Sequence, residues 1–400
     1  MIHKRIVIGV IAVAAVIAMF VYKNLPVDMQ SDAALAHGVV AECAENGTAD
    51  GQKDLCYEKA IPALMDKGIS MERAYAITVI VQDLDPSYHY CHVLAHNISA
   101  KETAKDSSKW KDIIARAPAG ICGNGALHGA FQERFRSVSL PDASVEEVTG
   151  MLRGACDLRP GWAPTLIEQS SCMHGMGHLL LFITEANVQR SLALCEVLAN
   201  GPSRDFRETC REGIFMQIYQ PLEPEDIGLV KKLAPEAKKN RVAFCGRFPE
   251  PIFATCIKES WPVLRDRIMT KEGLEAVCTP LTGMEGYDNC FRGATFVVMG
   301  MKEYDSKSML ALCSLLTRKN DRDICVARTA ERFVETDWRN VPQALAVCAA
   351  SPESAGPCWD QLTGYAENGM RADSPQTKAL CGGMPEPWRA KCLGNTNTHL

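Results

Sequence analysis

The chain lacks the marks of several large functional classes. Its 43 Lys+Arg stand against 48 Asp+Glu, a formal net charge of −5, so it has no basic excess of the kind a dedicated nucleic-acid binder carries on one face. No C-x2-C occurs among its cysteines, which leaves neither a zinc ribbon nor a thioredoxin-type redox motif. HExxH, G-x-S-x-G, the P-loop and the Rossmann fingerprint are missing. With them goes the motif evidence for a zinc protease, an α/β-hydrolase or a nucleotide-binding enzyme. Histidine disappears between His178 and His399. Disorder is excluded as well, because 47% of the residues are hydrophobic and 23% charged, the balance of a chain that folds around a core.

Long apolar runs are scarce too. The exception is Ile6–Tyr22, 17 uncharged residues preceded by His3, Lys4 and Arg5 and followed by Lys23. As a helix rising about 1.5 Å per residue, such a run just crosses the hydrocarbon layer. The basic residues before it favour an N-terminus on the cytoplasmic side, with the bulk of the chain outside. A cleaved signal peptide would have a shorter apolar stretch and a small-x-small site close behind it. The nearest such site, Ala34-Leu35-Ala36, lies more than ten residues beyond the run. The expectation is therefore a single-pass signal anchor over residues 1–23, a polar linker over 24–33, and a membrane as partner.

What the chain has in abundance is cysteine. Eighteen are too many for a reducing compartment unless metals hold the thiols. Read in order they fall into sequential pairs: Cys43 with Cys56, Cys91 with Cys122, Cys156 with Cys172, Cys195 with Cys210, Cys245 with Cys256, Cys278 with Cys290, Cys313 with Cys325, Cys348 with Cys358 and Cys381 with Cys392. From Cys172 onward the second members recur at steps of 38, 46, 34, 35, 33 and 34 residues. A period near 34, broken by one insertion around Leu229–Asn240, is a repeat signature. A short helical pattern leads into each first cysteine, as in SLALCEVL and MLALCSLL. A polar loop follows, and the second cysteine opens a longer amphipathic stretch such as CFRGATFVVMG or CVARTAERFVE. Each unit reads as a helical hairpin with one disulfide joining the end of its first helix to the start of its second. A lone hairpin cannot bury its own apolar face, so the units stack. The fold class expected is all-α: an α-solenoid of disulfide-stapled hairpins behind one N-terminal transmembrane helix, outside the cytoplasm in a periplasm or an equivalent oxidising space.

In period and hairpin form, residues 150–398 resemble the Sel1-like and tetratricopeptide helical repeats, above all the secreted cysteine-rich Sel1-like proteins. The cysteine spacing is wider than theirs, and the tetratricopeptide Trp/Gly/Tyr pattern is absent. The resemblance implies architecture and transfers no functional residue.

Five of the nine histidines fall in three phrases that begin at cysteines of the second and third pairs. These are Cys91-His92-Val-Leu-Ala-His96, Cys122-Gly-Asn-Gly-Ala-Leu-His128-Gly-Ala-Phe-Gln132 and Cys172-Met-His174-Gly-Met-Gly-His178. His92 with His96 and His174 with His178 are i, i+4 pairs, which a helix places on one face about 5–6 Å apart, close enough to share an ion. Nine histidines scattered at random would yield on the order of 0.2 such pairs in a chain of this length. Packed core histidines are the ordinary alternative. The confinement of both pairs to one end of the array favours a shared site made of His92, His96, His128, His174 and His178. Imidazoles with few carboxylates nearby suit Cu or Zn, with Fe possible. Glu102, Glu133 and Glu185 are poorly phased to reach it.

Gly123, Gly125, Gly129, Gly175 and Gly177 line the same stretches. Each costs a helix about 1 kcal/mol relative to alanine, which points to close helix packing or, as a lesser alternative, to a haem lying against them. Met176, Met216, Met299 and Met301 read as core. Lys101–Lys111 reads as a charged, solvated loop, and the tail GNTNTHL as a frayed end. The expected organisation is histidine-containing repeats over 34–187 and further hairpins over 188–398. Two functional classes follow. One is a membrane-anchored metalloprotein, an enzyme or not; the other is an envelope scaffold whose concave face binds a protein partner.

Overall fold

The computed structural model describes residues 26–46, 52–88, 91–118, 121–122, 125–138, 144–201, 204–221 and 224–395. The apolar run Ile6–Tyr22 and the last five residues of the tail lie outside them. No helix among the described residues is long and apolar enough to cross a membrane.

The described residues hold 22 α-helices and no strand. The first eight are α1 (Asp32–Asn46), α2 (Gln52–Met65), α3 (Met71–Leu84), α4 (His92–Lys105), α5 (Trp110–Arg116), α6 (Gly125–Phe135), α7 (Val145–Leu152) and α8 (Leu166–Ile183). Next come α9 (Val188–Leu198), α10 (Arg207–Tyr219), α11 (Pro224–Leu229), α12 (Leu233–Lys239), α13 (Arg241–Cys245) and α14 (Ile252–Glu259). The array ends with α15 (Lys271–Cys278), α16 (Tyr287–Met301), α17 (Ser306–Leu315), α18 (Lys319–Thr336), α19 (Val341–Ala349), α20 (Ala355–Gly369), α21 (Pro375–Gly382) and α22 (Trp388–Asn395). The insertion that interrupts the repeat contributes α12, and α11 leads into it.

The second helices of the units form a continuous row, α2, α4, α6, α8, α10, α14, α16, α18, α20 and α22, each packed on the next. The first helices lie behind them, and the core runs between the two rows. All nine sequential cysteine pairs are bonded: Cys43 to Cys56, Cys91 to Cys122, Cys156 to Cys172, Cys195 to Cys210, Cys245 to Cys256, Cys278 to Cys290, Cys313 to Cys325, Cys348 to Cys358 and Cys381 to Cys392. Their Cα–Cα separations are 4.8–5.8 Å, and no cysteine is left free. Cys210, Cys256, Cys290, Cys325 and Cys358 are buried early in α10, α14, α16, α18 and α20, so each bridge ties one row to the other through the core. Cys56 in α2 is the exception in burial, only partly covered at the edge of that core. Such bridging fits an oxidising, extracytoplasmic compartment.

One bridge departs from the hairpin rule. Cys91 stands at the N-cap of α4 and Cys122 just before α6, so the bond joins the starts of two neighbouring helices of the long row. The intervening α5 is the outer arm. Lys101–Lys111 is likewise no solvated loop: it completes α4, turns once and enters α5, with Trp110 buried against Phe131 and Phe135 of α6. Lys105, Asp106 and Lys109 are exposed, while the Trp110 ring is buried. The described part of the segment read as a linker is held by Arg73, which donates to the Asp32 carboxylate and to the backbone carbonyls of Asp28 and Gln30.

The row curls back on itself. Arg371, just past α20, reaches Glu168 in α8 at 3.3 Å, and Gly369 lies against Ile167. Arg339 beyond α18 pairs with Asp83 in α3 at 2.5 Å. Side chains meet across the inside of the curl: Asn289 donates to Glu208, Arg292 to Gln361, and Arg332 stacks on Phe296 with its guanidinium carbon 3.5 Å from the ring centre. Polar and cation–π contacts therefore join helices across the inner face between α10 and α20.

Candidate metal centre

Four helices of the long row build the site: α4 with His92 and His96, α6 with His128, α8 with His174 and His178, and α10. Their spacing is set by glycines. A Cβ on Gly125 would stand 2.3 Å from the His92 carbonyl oxygen, and one on Gly129 2.1 Å from that of His96. One on Gly175 would meet the His128 ring at 2.5 Å, and one on Gly213 the His174 carbonyl oxygen at 2.0 Å. The helices cross at backbone contact, so the side chains flanking each crossing converge. The small-residue faces are occupied by neighbouring helices, and the cavity between the rings measures about 30 Å³. Pockets that take drug-sized ligands run to about 300–1,000 Å³. The site is closed to a haem, and Gly123 lies outside the described residues.

All five imidazoles meet. Ring centres stand 4.7 Å apart for His92–His96 and 5.1 Å for each of these to His128. The second triangle shares its corner, with His128 5.5 Å from both His174 and His178, which are 4.9 Å from each other. The arrangement divides the five rings. His92, His96 and His128 each offer a nitrogen within 4.8 Å of the other two, and the Nε2 atoms of His92 and His96 are 3.1 Å apart. His174 and His178 repeat that contact at 3.1 Å. Two nitrogens bound to one ion at about 2.0–2.1 Å and near-tetrahedral or right angles stand about 2.8–3.4 Å apart, so both pairs have the span of a shared ligand set.

Tautomers follow from the outer partners. The Nδ1 of His92 lies 3.2 Å from the Cys122 carbonyl, which only accepts, so Nδ1 holds the proton and Nε2 presents a lone pair to the cluster. Cys122 takes a left-handed φ of 52°, a strained choice for a residue with a side chain, and the Cys91 bridge holds it there. The Nε2 of His128 is 3.2 Å from the Ser171 carbonyl, which leaves its Nδ1 lone pair. Burial drives His92, His128 and His178 well below the ordinary histidine range, with neighbouring imidazoles adding to the effect, and burial puts His174 at about 4. At neutral pH these rings are uncharged, the form that binds metals.

Around the rings the cavity is lined by apolar Phe131, Leu179 and Phe182 and by polar Gln132, Gln220 and Asp226. Gln217 donates to the Asp226 carboxylate at 2.5 Å. Glu133 instead pairs with Arg136, and Glu102 with Lys105 and Arg116.

Three participants escaped the sequence reading. Met176 and Met299 are core, as expected, and Met301 packs beside it. Met216 is different: its sulfur lies 3.3 Å from the Nε2 of His174. It follows Gly213 by three residues, so the interior-glycine signature of the histidine phrases extends into CREGIFMQ and was the signal available. Gln217 shares that helix. Asp226 arrives on α11, the short helix that leads into the insertion, where no repeat pattern foretells its position.

Compared with known protein families, with characterised proteins and with solved structures, the chain matches none.

Proposed function

We propose that this is a membrane-anchored, extracytoplasmic helical-repeat protein whose N-terminal repeats hold a transition-metal ion through His92, His96 and His128. The observation that carries the reading is the convergence of three buried imidazoles from two helices, with two Nε2 atoms 3.1 Å apart. Uncharged nitrogen donors suit copper or zinc, and iron after them. The anchor is Ile6–Tyr22, and the bridged array stands on the outer side of the membrane. The solenoid supplies rigidity: disulfides flank the histidine phrases and helix crossings at backbone contact fix the ring positions.

The test is elemental analysis of the full chain, purified in detergent from an oxidising compartment without a histidine tag. About one equivalent of copper, zinc or iron is expected, and the His92→Ala/His96→Ala variant should lose it while keeping nine disulfides. If that variant retains full metal content the reading fails. An interaction scaffold whose concave face binds a protein partner then takes its place.

A further inference from the structure

We infer that His174, His178 and Met216 form a second metal site beside the first, and that it takes copper(I). The inference rests on the reading of His92, His96 and His128 as a metal centre only in sharing its wall, at His128.

The argument begins with α10. Gly213 lies flush on the His174 carbonyl, where a Cβ would stand at 2.0 Å, and lets α10 settle directly onto α8. Met216 is three residues further on and so occupies the same face of its helix. That crossing delivers the thioether to a single nitrogen: the Nε2 of His174 is 3.3 Å from the Met216 sulfur and 3.1 Å from the Nε2 of His178. One nitrogen with one proton cannot serve both contacts as a donor, and a thioether is a weak acceptor for an N–H. A cation in contact with all three atoms uses each of their lone pairs.

Donor chemistry selects the ion. Two imidazoles and a thioether are all uncharged, and the thioether is soft, a combination that selects copper(I) over zinc, calcium or magnesium. Partial burial of all three side chains works in the same direction. Taking an ion from water into a less solvated site is penalised more as its charge rises, so with no anionic ligand among the three, a monocation is favoured over a dication. Gln217, next to Met216 on α10, lines the same cavity and donates to the Asp226 carboxylate. The first site, made of nitrogen alone, has no such preference for a soft ion.

The experiment uses the full chain in detergent under anoxic conditions, with its first site loaded with one equivalent of zinc. Copper(I) is then titrated against the chromophoric chelator bicinchoninate. The wild type is expected to bind one further equivalent, and X-ray absorption should show a sulfur scatterer at about 2.3 Å. Met216→Leu, which keeps the volume of the side chain, should retain its zinc but bind copper(I) at least tenfold more weakly and lose the sulfur scatterer. Unchanged copper(I) binding by Met216→Leu, or copper(I) that enters only by displacing zinc, overturns the second site and leaves the first standing. A wild type that binds neither ion overturns both.

Discussion

Gly129 passes so close to His96 that a methyl group placed on it would lie 2.1 Å from the His96 carbonyl oxygen. That contact registers α6 against α4, and it sets how near the His128 ring comes to the His92 and His96 pair. Gly129→Ala forces the two helices apart, at about 1–3 kcal/mol for the overpacking, and moves His128 with them. Gly150 in α7 has nothing within 4 Å of the same position, so Gly150→Ala should stabilise by about 0.5–1 kcal/mol through helix propensity alone. Denaturant melts of the pair, with metal content, check this; equal and small effects would show that the crossing is not tight.

The Cys91–Cys122 bridge joins the histidine site to the disulfide frame. It closes a separation of 31 residues, for which chain entropy suggests about 4 kcal/mol of stability. Cys381–Cys392 closes 11 and is worth about 3 kcal/mol on the same basis. The functional consequences should differ far more. Replacing Cys91 and Cys122 by serine frees the carbonyl that orients His92, and metal affinity should fall by about 10–100-fold. The Cys381→Ser/Cys392→Ser variant should melt earlier yet bind as the wild type does.

Acid should weaken the metal-free fold in a particular window. In the unfolded chain histidines take up protons near pH 6.5, whereas in the folded protein His174 does so at about 4 and His92, His128 and His178 are also pushed well down by burial. Between those limits the unfolded state binds more protons, so stability rises with pH. It should be level above about pH 7 and fall as pH drops from about 6.5 toward 4. Urea midpoints across this range, in wild type and in His178→Gln, measure the effect; the variant's slope should be shallower. An identical slope would place the dependence elsewhere.

Trp110 offers a test of packing that owes nothing to metal. It is 6% exposed, with ring centres 5.3 Å from Phe131 and 5.8 Å from Phe135, and it props α6 from behind. Trp110→Ala should cost about 3–5 kcal/mol. Loss of under 1 kcal/mol in a denaturant melt would return this segment to the solvated loop its charges suggested.

Much was legible in the residues alone. Spacing of 10–16 residues between most partner cysteines leaves each half-cystine little choice but its neighbour in sequence, since a hairpin of two short helices returns the chain to its start. The alternation of polar loops and helical patterns then forces an all-α stack. The i, i+4 histidine pairs were equally plain, because one helix geometry places them together.

What those local rules leave open is the distance between helices. Whether His128 meets the pair before it or the pair after it depends on how closely α4, α6 and α8 approach, and that is decided where glycine lets backbone touch backbone. Met216 looked like core because a methionine at an apolar helix position usually is; only the seating of α10 on α8 turns its sulfur toward His174. Asp226 enters from the short helix that leads into the insertion, so no period could place it. Covalent pairing and helical phase act within some thirty residues and can be read from order along the chain. The meeting of side chains from four helices is a property of packing, and the tertiary structure alone determines it.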